Sequence, residues 1–240
     1  MSPQHIDIRE LASWGFDMEA DRSLLACDHL QQAAHKARRR LEVRQPYKAE
    51  SPISVEQTRS LASLLAARKK TVAGSGEFEG LAWELAIVDL RKLIAFQRRV
   101  GFADGYCFQI EQGTEWQQLL DLALPIDAHS SNPYIEVALF SGRWFLRDGY
   151  HRSFRLLKQG MCLVPAVVVY AETLAQMGAI GTQFFAPVIL FSQRPPMVTD
   201  FLDEEIVVCY RRAFRKHVVN GTVQEFPEPV LTGCHEQEGL

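Results

Sequence analysis

An α+β fold is predicted for this chain by three neighbouring features: a hydrophobic hairpin, a basic amphipathic helix directly after it, and a β-branched strand after that. Tyr134-Ile135-Glu136-Val137-Ala138-Leu139-Phe140 alternates as a strand does, Ser141-Gly142-Arg143 forms a turn signal, and Trp144-Phe145-Leu146 reads as the returning strand. Tyr150, Phe154 and Leu157 then recur at helical spacing, with Gly160 as the stop. The run Val164-Pro165-Ala166-Val167-Val168-Val169-Tyr170 is apolar enough for a buried strand, and Pro165 is tolerated at its start.

Around this centre the remaining elements follow in order. Residues 18–44 pattern as a helix whose basic end, Lys36-Ala37-Arg38-Arg39-Arg40, complements the helix dipole. After a break at Gln45-Pro46 and Ser51-Pro52, Ser54-Val55-Glu56-Gln57 opens a second helix as a capping box, and Lys69-Lys70 closes it. Thr71-Val72-Ala73-Gly74-Ser75-Gly76-Glu77 is expected to be a flexible link. Its glycines fit neither of the two common nucleotide-loop spacings. A strand is expected over 83–88, a short helix capped by Asp89 over 89–97, a helix over 115–124, a helical turn over 173–177 and a strand over 186–191. Arg194-Pro195-Pro196 forces an extended loop, residues 200–215 fit helix or strand, and Asn220-Gly221 suits a hairpin turn. The division expected is a helical appendage over 1–75, an α+β domain over 76–226 and a loose tail over 227–240.

Composition narrows the function classes. The 240 residues are 47% hydrophobic and 23% charged, ordinary for a globular protein, and the net charge of −3 argues against a globally basic nucleic-acid binder. The five cysteines are scattered without C-x-x-C spacing, so neither a disulfide framework nor a zinc knuckle is expected. Residues 1–7 lack the pattern of a signal peptide and no stretch is long and apolar enough to span a bilayer, which makes a cytoplasmic protein the expectation. The histidines show no metal-binding spacing, and no metal site is expected.

The chemistry concentrates in Arg147-Asp148-Gly149-Tyr150-His151-Arg152, where the hairpin ends and the helix begins. Asp148 can cap the helix or hold a cation, and Gly149 lets backbone approach a ligand or adopt a positive φ. His151 and Arg152 fall in the first helical turn, where unpaired N–H groups already favour an anion. Arg152 can fork onto phosphate oxygens, and His151 can donate a hydrogen bond or move a proton near neutral pH. Two cations at a helix N-terminus are unfavourable unless an anion joins them, so a phosphate is expected here, with Asp148, Gly149, Tyr150, His151, Arg152 and Arg155 around it. Asp148, His151 and Glu136, on the preceding strand, are the candidate catalytic groups. The competing structural account makes Asp148 an N-cap, pairs Arg152 with Glu136 or Asp127, and leaves Glu136 as a surface carboxylate. His151, Arg155 and Lys158 share one helix face as a basic stripe, which could touch further phosphates or be merely solvated.

Phe145 through Arg152, followed by Leu156-Leu157-Lys158-Gln159-Gly160 and Val164-Pro165-Ala166-Val167-Val168-Val169, resembles the signature of the ParB/sulfiredoxin superfamily. Leu85-Ala86-Ile87-Val88 with Asp89-Leu90-Arg91-Lys92-Leu93 resembles that superfamily's opening strand and short helix. The resemblance implies a small mixed-sheet α+β domain with a phosphate-binding turn, taking ATP or CTP with Mg2+, and activities ranging over DNA clamps, kinases, nucleases and reductases. Reductases of the superfamily place a catalytic cysteine where this chain has Tyr150, so sulfinic-acid reduction is not expected. The residues after Tyr170 do not pattern as a helix-turn-helix unit, so a partition clamp is not expected either. Three readings stay open: a domain that binds a nucleotide or phosphorylated ligand, with or without hydrolysis or transfer of a phosphoryl group; a non-catalytic module that binds a nucleic-acid backbone or regulates; or a degenerate domain whose motif only stabilises a turn. A nucleotide, a phosphorylated small molecule or a nucleic acid is the partner expected, with no membrane.

Overall fold

The computed structural model describes residues 42–97, 115–124, 134–178, 184–204 and 207, all within one compact unit, Met1–Val208. Five strands, β1 (Ala82–Asp89), β2 (Ile94–Ala95), β3 (Glu136–Phe140), β4 (Arg143–Asp148) and β5 (Leu163–Tyr170), form a mixed sheet in the order β1-β5-β3-β4-β2. Pairing is antiparallel for β1/β5 and β3/β4 and parallel for β5/β3 and β4/β2. With the helices around it this is a small α+β fold.

The sequence explains the placement of β5. Val164 and residues Ala166 to Val169 are fully buried, as a strand with neighbours on both edges requires. Pro165 survives inside it for a specific reason. Its partner Ile87 turns its own N–H and C=O outward, to Thr58 Oγ1 and the Ser54 amide, so Ile87 and Pro165 exchange no hydrogen bond. The nitrogen of Pro165 therefore faces the β3 side, where pairing begins only at Val167, and no ladder bond is lost. The β3/β4 turn is the expected one. Ser141 and Gly142 both take left-handed φ, 47° and 71°, the pattern whose twist matches a two-residue hairpin.

Helices α1 (Val55–Ser60) and α2 (Ala62–Gly74) replace the single helix expected over 54–70. Ser54 caps α1 by accepting from the Gln57 amide at 3.4 Å, and the chain leaves helical geometry at Leu61, φ −103° and ψ 12°. The expected link over 71–77 is the last turn of α2 and the turn after it; buried Val72 holds that turn in place. Leu65, Val72 and Phe78 join the sheet's own hydrophobic core, so the 75/76 division falls between elements that share one interior. Thr58 of α1 also satisfies the outer edge of β1, which protects a strand that would otherwise present unpaired groups.

Asp89 caps only a three-residue 3-10 turn, Leu90–Lys92, because the chain is drawn back into the sheet as β2. Further along come α3 (Trp116–Ala123), α4 (Tyr150–Lys158) and a short α5 (Pro187–Leu190). The strand expected over 186–191 is thus a helical turn, since Pro187 at its first position presets helical φ and Pro cannot donate to a ladder. α4 ends as expected at Gly160, φ 81°, with the Met161 amide on Leu156 O at 2.9 Å and the Gly160 amide on Leu157 O at 2.9 Å. The start of the ambiguous 200–215 stretch belongs to a 3-10 turn, Val198–Leu202. Residues 18–41 of the expected first helix, the Asn220-Gly221 hairpin and the 227–240 tail lie outside the described residues. No helix among the described residues is long and apolar enough to cross a membrane.

Candidate functional site

The junction between β4 and α4 is built around a β-bulge. Glu136 pairs with Asp148 but Val137 pairs with Leu146, leaving Arg147 as the extra residue on β4. A bulge redirects a side chain, and here it sends the Arg147 guanidinium onto the Glu136 carboxylate, with Arg147 Nε donating to Gln176 O at 3.2 Å. Pairing would otherwise set two carboxylates, Glu136 and Asp148, opposite one another with no cation between them.

Glu136 is 1% exposed, so it is not a surface carboxylate. Burial pushes its proton affinity up to about 8, the neighbouring Glu77 and Asp148 carboxylates push the same way, and Arg147 opposes them. Its Oε2 pairs with Arg147, its Oε1 is buried without an N–H donor, and the Glu77 carboxylate stands within hydrogen-bond reach of the carboxyl. Glu77, Glu136 and Asp148 thus share an environment with two guanidiniums, Arg147 and Arg152. Three carboxylates against two cations leave one negative charge over, and a proton on Glu136 makes the group neutral. A buried carboxyl poised this way can give or take a proton near neutral pH.

Gly149 makes the junction sterically feasible. It takes φ 83° and ψ 24°, and a Cβ there would stand 2.9 Å from Ile135 Cα and 3.1 Å from Tyr134 O. Asp148 Oδ1 accepts the Gly149 amide at 2.6 Å, and Asp148 Oδ2 is buried without a partner. Asp148 is not the helix cap, because Gly149 occupies that position and no side chain caps α4. The first-turn amides of α4 therefore keep the donor capacity that favours an anion.

The other expected ligands divide. Tyr150 is a bridge within the fold: its hydroxyl accepts the Phe96 and Gln97 amides at 2.6 and 2.9 Å and donates to Leu146 O at 2.6 Å. Fully buried, its phenol is pushed well above the ordinary range and has no hydrogen left for a ligand. Arg152 donates to Tyr134 O at 3.2 Å and Leu122 O at 3.5 Å, tying the end of α3 to the start of β3. Burial lowers its proton affinity, and Asp148 and Glu136 oppose that shift only in part. Asp148 therefore lies close enough to Arg152 to balance part of its charge from within the chain. His151 is exposed on the first turn, Arg155 is half-buried and Lys158 is exposed, as a stripe along one face requires. Arg194 lies with Arg44 and Tyr47, lining a groove that includes no residue of α4.

Two contributors escaped the sequence. Arg147 stands inside the motif, but only the bulge gives it a role; Glu77 falls in a stretch that reads as linker. Among the described residues no group of three or more His, Cys, Asp or Glu side chains is arranged to hold a metal ion. No family model, curated protein or solved structure matches the chain, so the character of the site rests on its own geometry.

Proposed function

We propose that the chain is a ParB/sulfiredoxin-like domain that binds a nucleotide or another phosphate ester at the start of α4. The phosphate sits on the first-turn amides and His151, and Glu136 handles the proton of a hydrolytic or phosphoryl-transfer step. The observation that carries this reading is the pairing of an uncapped nine-residue helix with Asp148 Oδ2, buried without a partner beside its start, and with the fully buried carboxyl of Glu136 one strand pair away. Arg152 and Tyr150 act as the frame of that site, since their polar atoms hold backbone. Were magnesium to come with the nucleotide, Asp148, whose Oδ2 has no partner within the chain, would hold it and offset the phosphate charge.

The test is calorimetric titration of the protein with ATP, CTP and GTP, alone and with Mg2+, for wild type and His151→Ala. Binding of at least one nucleotide is expected, weakened roughly 2–10-fold by loss of one hydrogen bond in the variant. No binding of any nucleotide or phosphate ester to wild type sinks the proposal. The non-catalytic alternative has one observation in its favour, the stripe of His151, Arg155 and Lys158 along α4. It calls for nucleic-acid affinity that falls steeply with salt, and a shallow dependence counts against it.

A further inference from the structure

A second basic site lies away from α4. Residues 44–50, the Leu90–Lys92 turn and the loop at 194–197 enclose a groove of about 280 Å³, into which Arg44, Lys48, Arg91, Lys92 and Arg194 all contribute. One carboxylate, Glu50, lines it with them. Asp200 pairs with Arg44, Asp89 with Arg91 and Glu50 with Lys92. Five cations against these three acids leave a surplus of two positive charges.

The three arginines are held in place before any ligand arrives. Arg44 is gripped bidentately by Asp200 and donates to Pro195 O, while Arg194 Nε donates to Arg44 O. Arg91 is fixed at two atoms by Asp89, at 2.9 and 2.8 Å. Fixed guanidiniums lose little freedom when an oxyanion joins them. Pro46, Tyr47, Pro195 and Met197 give the groove an apolar side, with the Gln45 amide beside them. The Tyr47 ring is itself immobilised by the Arg143 guanidinium at 5.3 Å and by the Trp144 amide, which donates to its hydroxyl at 3.3 Å. Small-molecule pockets run to roughly 300–1,000 Å³, so this groove suits a compact ligand. Its cations gather in one place, whereas a polymer backbone asks for a track of them.

We propose that this groove binds a phosphate monoester of mononucleotide size, the phosphate against Lys48, Arg91, Lys92 and Arg194 and the organic part against Tyr47, Pro195 and Met197. The site is independent of the one at α4 and shares no residue with it.

The test uses the full chain and AMP as probe, with adenosine as the uncharged comparison. Lys48→Glu and Arg194→Gln, singly and together, address the groove, and His151→Ala addresses α4. Circular dichroism and the unfolding midpoint establish that each variant is folded; Lys48 is exposed, so its substitution is expected to leave the fold intact. AMP binding at the groove is read from the backbone amide resonances of Lys48, Arg91 and Lys92, apart from those of α4, and loss of one charge-assisted contact is expected to weaken it about tenfold or more. The proposal is overturned if Lys48→Glu and the double variant bind AMP as wild type does, or if adenosine binds as tightly as AMP. Binding of a single-stranded oligonucleotide without any binding of AMP overturns it too. AMP binding that moves the amide resonances of α4 and leaves those of Lys48, Arg91 and Lys92 in place rejects the groove alone.

Discussion

Raising the pH through the neutral range is expected to destabilise this protein through Glu136, and Glu136→Gln is expected to remove that dependence. Glu136 holds its proton up to about 8 in the folded chain, against 4.5 for an ordinary glutamate. Below 4.5 both folded and unfolded chains carry the proton, and the contribution of the group to stability is complete. Between the two values the folded chain binds one proton more than the unfolded chain, so each pH unit removes up to about 1.4 kcal/mol. Above about 8 both states are ionised and the contribution is gone. Over the whole window the loss is bounded at roughly 4–5 kcal/mol, a large part of the stability of an ordinary domain. Asp89 does not blur the result, because its proton affinity is lowered from 3.8 and its effect falls at more acid pH, with the opposite sign. The assay is urea unfolding of wild type and Glu136→Gln at a series of pH values across the window. Glutamine imitates the protonated carboxyl, so the two proteins are expected to agree at the acid end and the variant to be the more stable at the alkaline end. Parallel stability curves would refute the assignment of a buried, protonated Glu136.

Gly149→Ala combines a left-handed φ with a Cβ placed 2.9 Å from Ile135 Cα. The conformational part costs about 1–2 kcal/mol and the overpacking about 1–3 kcal/mol, so a loss of about 2–5 kcal/mol is expected in urea unfolding. A loss below about 1 kcal/mol would mean that the junction is looser than described. Tyr150→Phe strands the Phe96 and Gln97 amides and is expected to cost about 1–3 kcal/mol, with faster hydrogen exchange at both amides. Unchanged exchange there would remove the bridging role of the hydroxyl.

What was legible in the sequence is what short-range pattern controls. The hairpin, α4 with its Gly160 stop, and the buried β5 follow from alternation, helical spacing and β-branching, each confined to a few consecutive residues. The misreadings arise where distant chain decides. The Leu90–Lys92 turn is too short to be seen as anything but a helix start until β2 is known to pair with β4, some fifty residues later. Pro187 looks compatible with a strand beginning until its role as the first residue of a helical turn is seen. The link over 71–77 has the glycines of a flexible segment, yet Val72 reaches the common core and Glu77 faces Glu136. In the motif, residue identities exposed the concentration of charge, and the strand register determined its meaning. Only the bulge shows that Arg147 serves Glu136, and only the β3 start and the α3 end show that Arg152 holds carbonyl oxygens.

The most direct measurement of the central claim is a titration of the isotope-labelled protein with ATP and CTP, followed through the backbone amide resonances of Tyr150, His151 and Arg152. A phosphate at the start of α4 accepts from those amides, so their resonances are expected to shift together and to saturate with the binding isotherm. Nucleotide binding that leaves all three unmoved, or no binding at all, would contradict it.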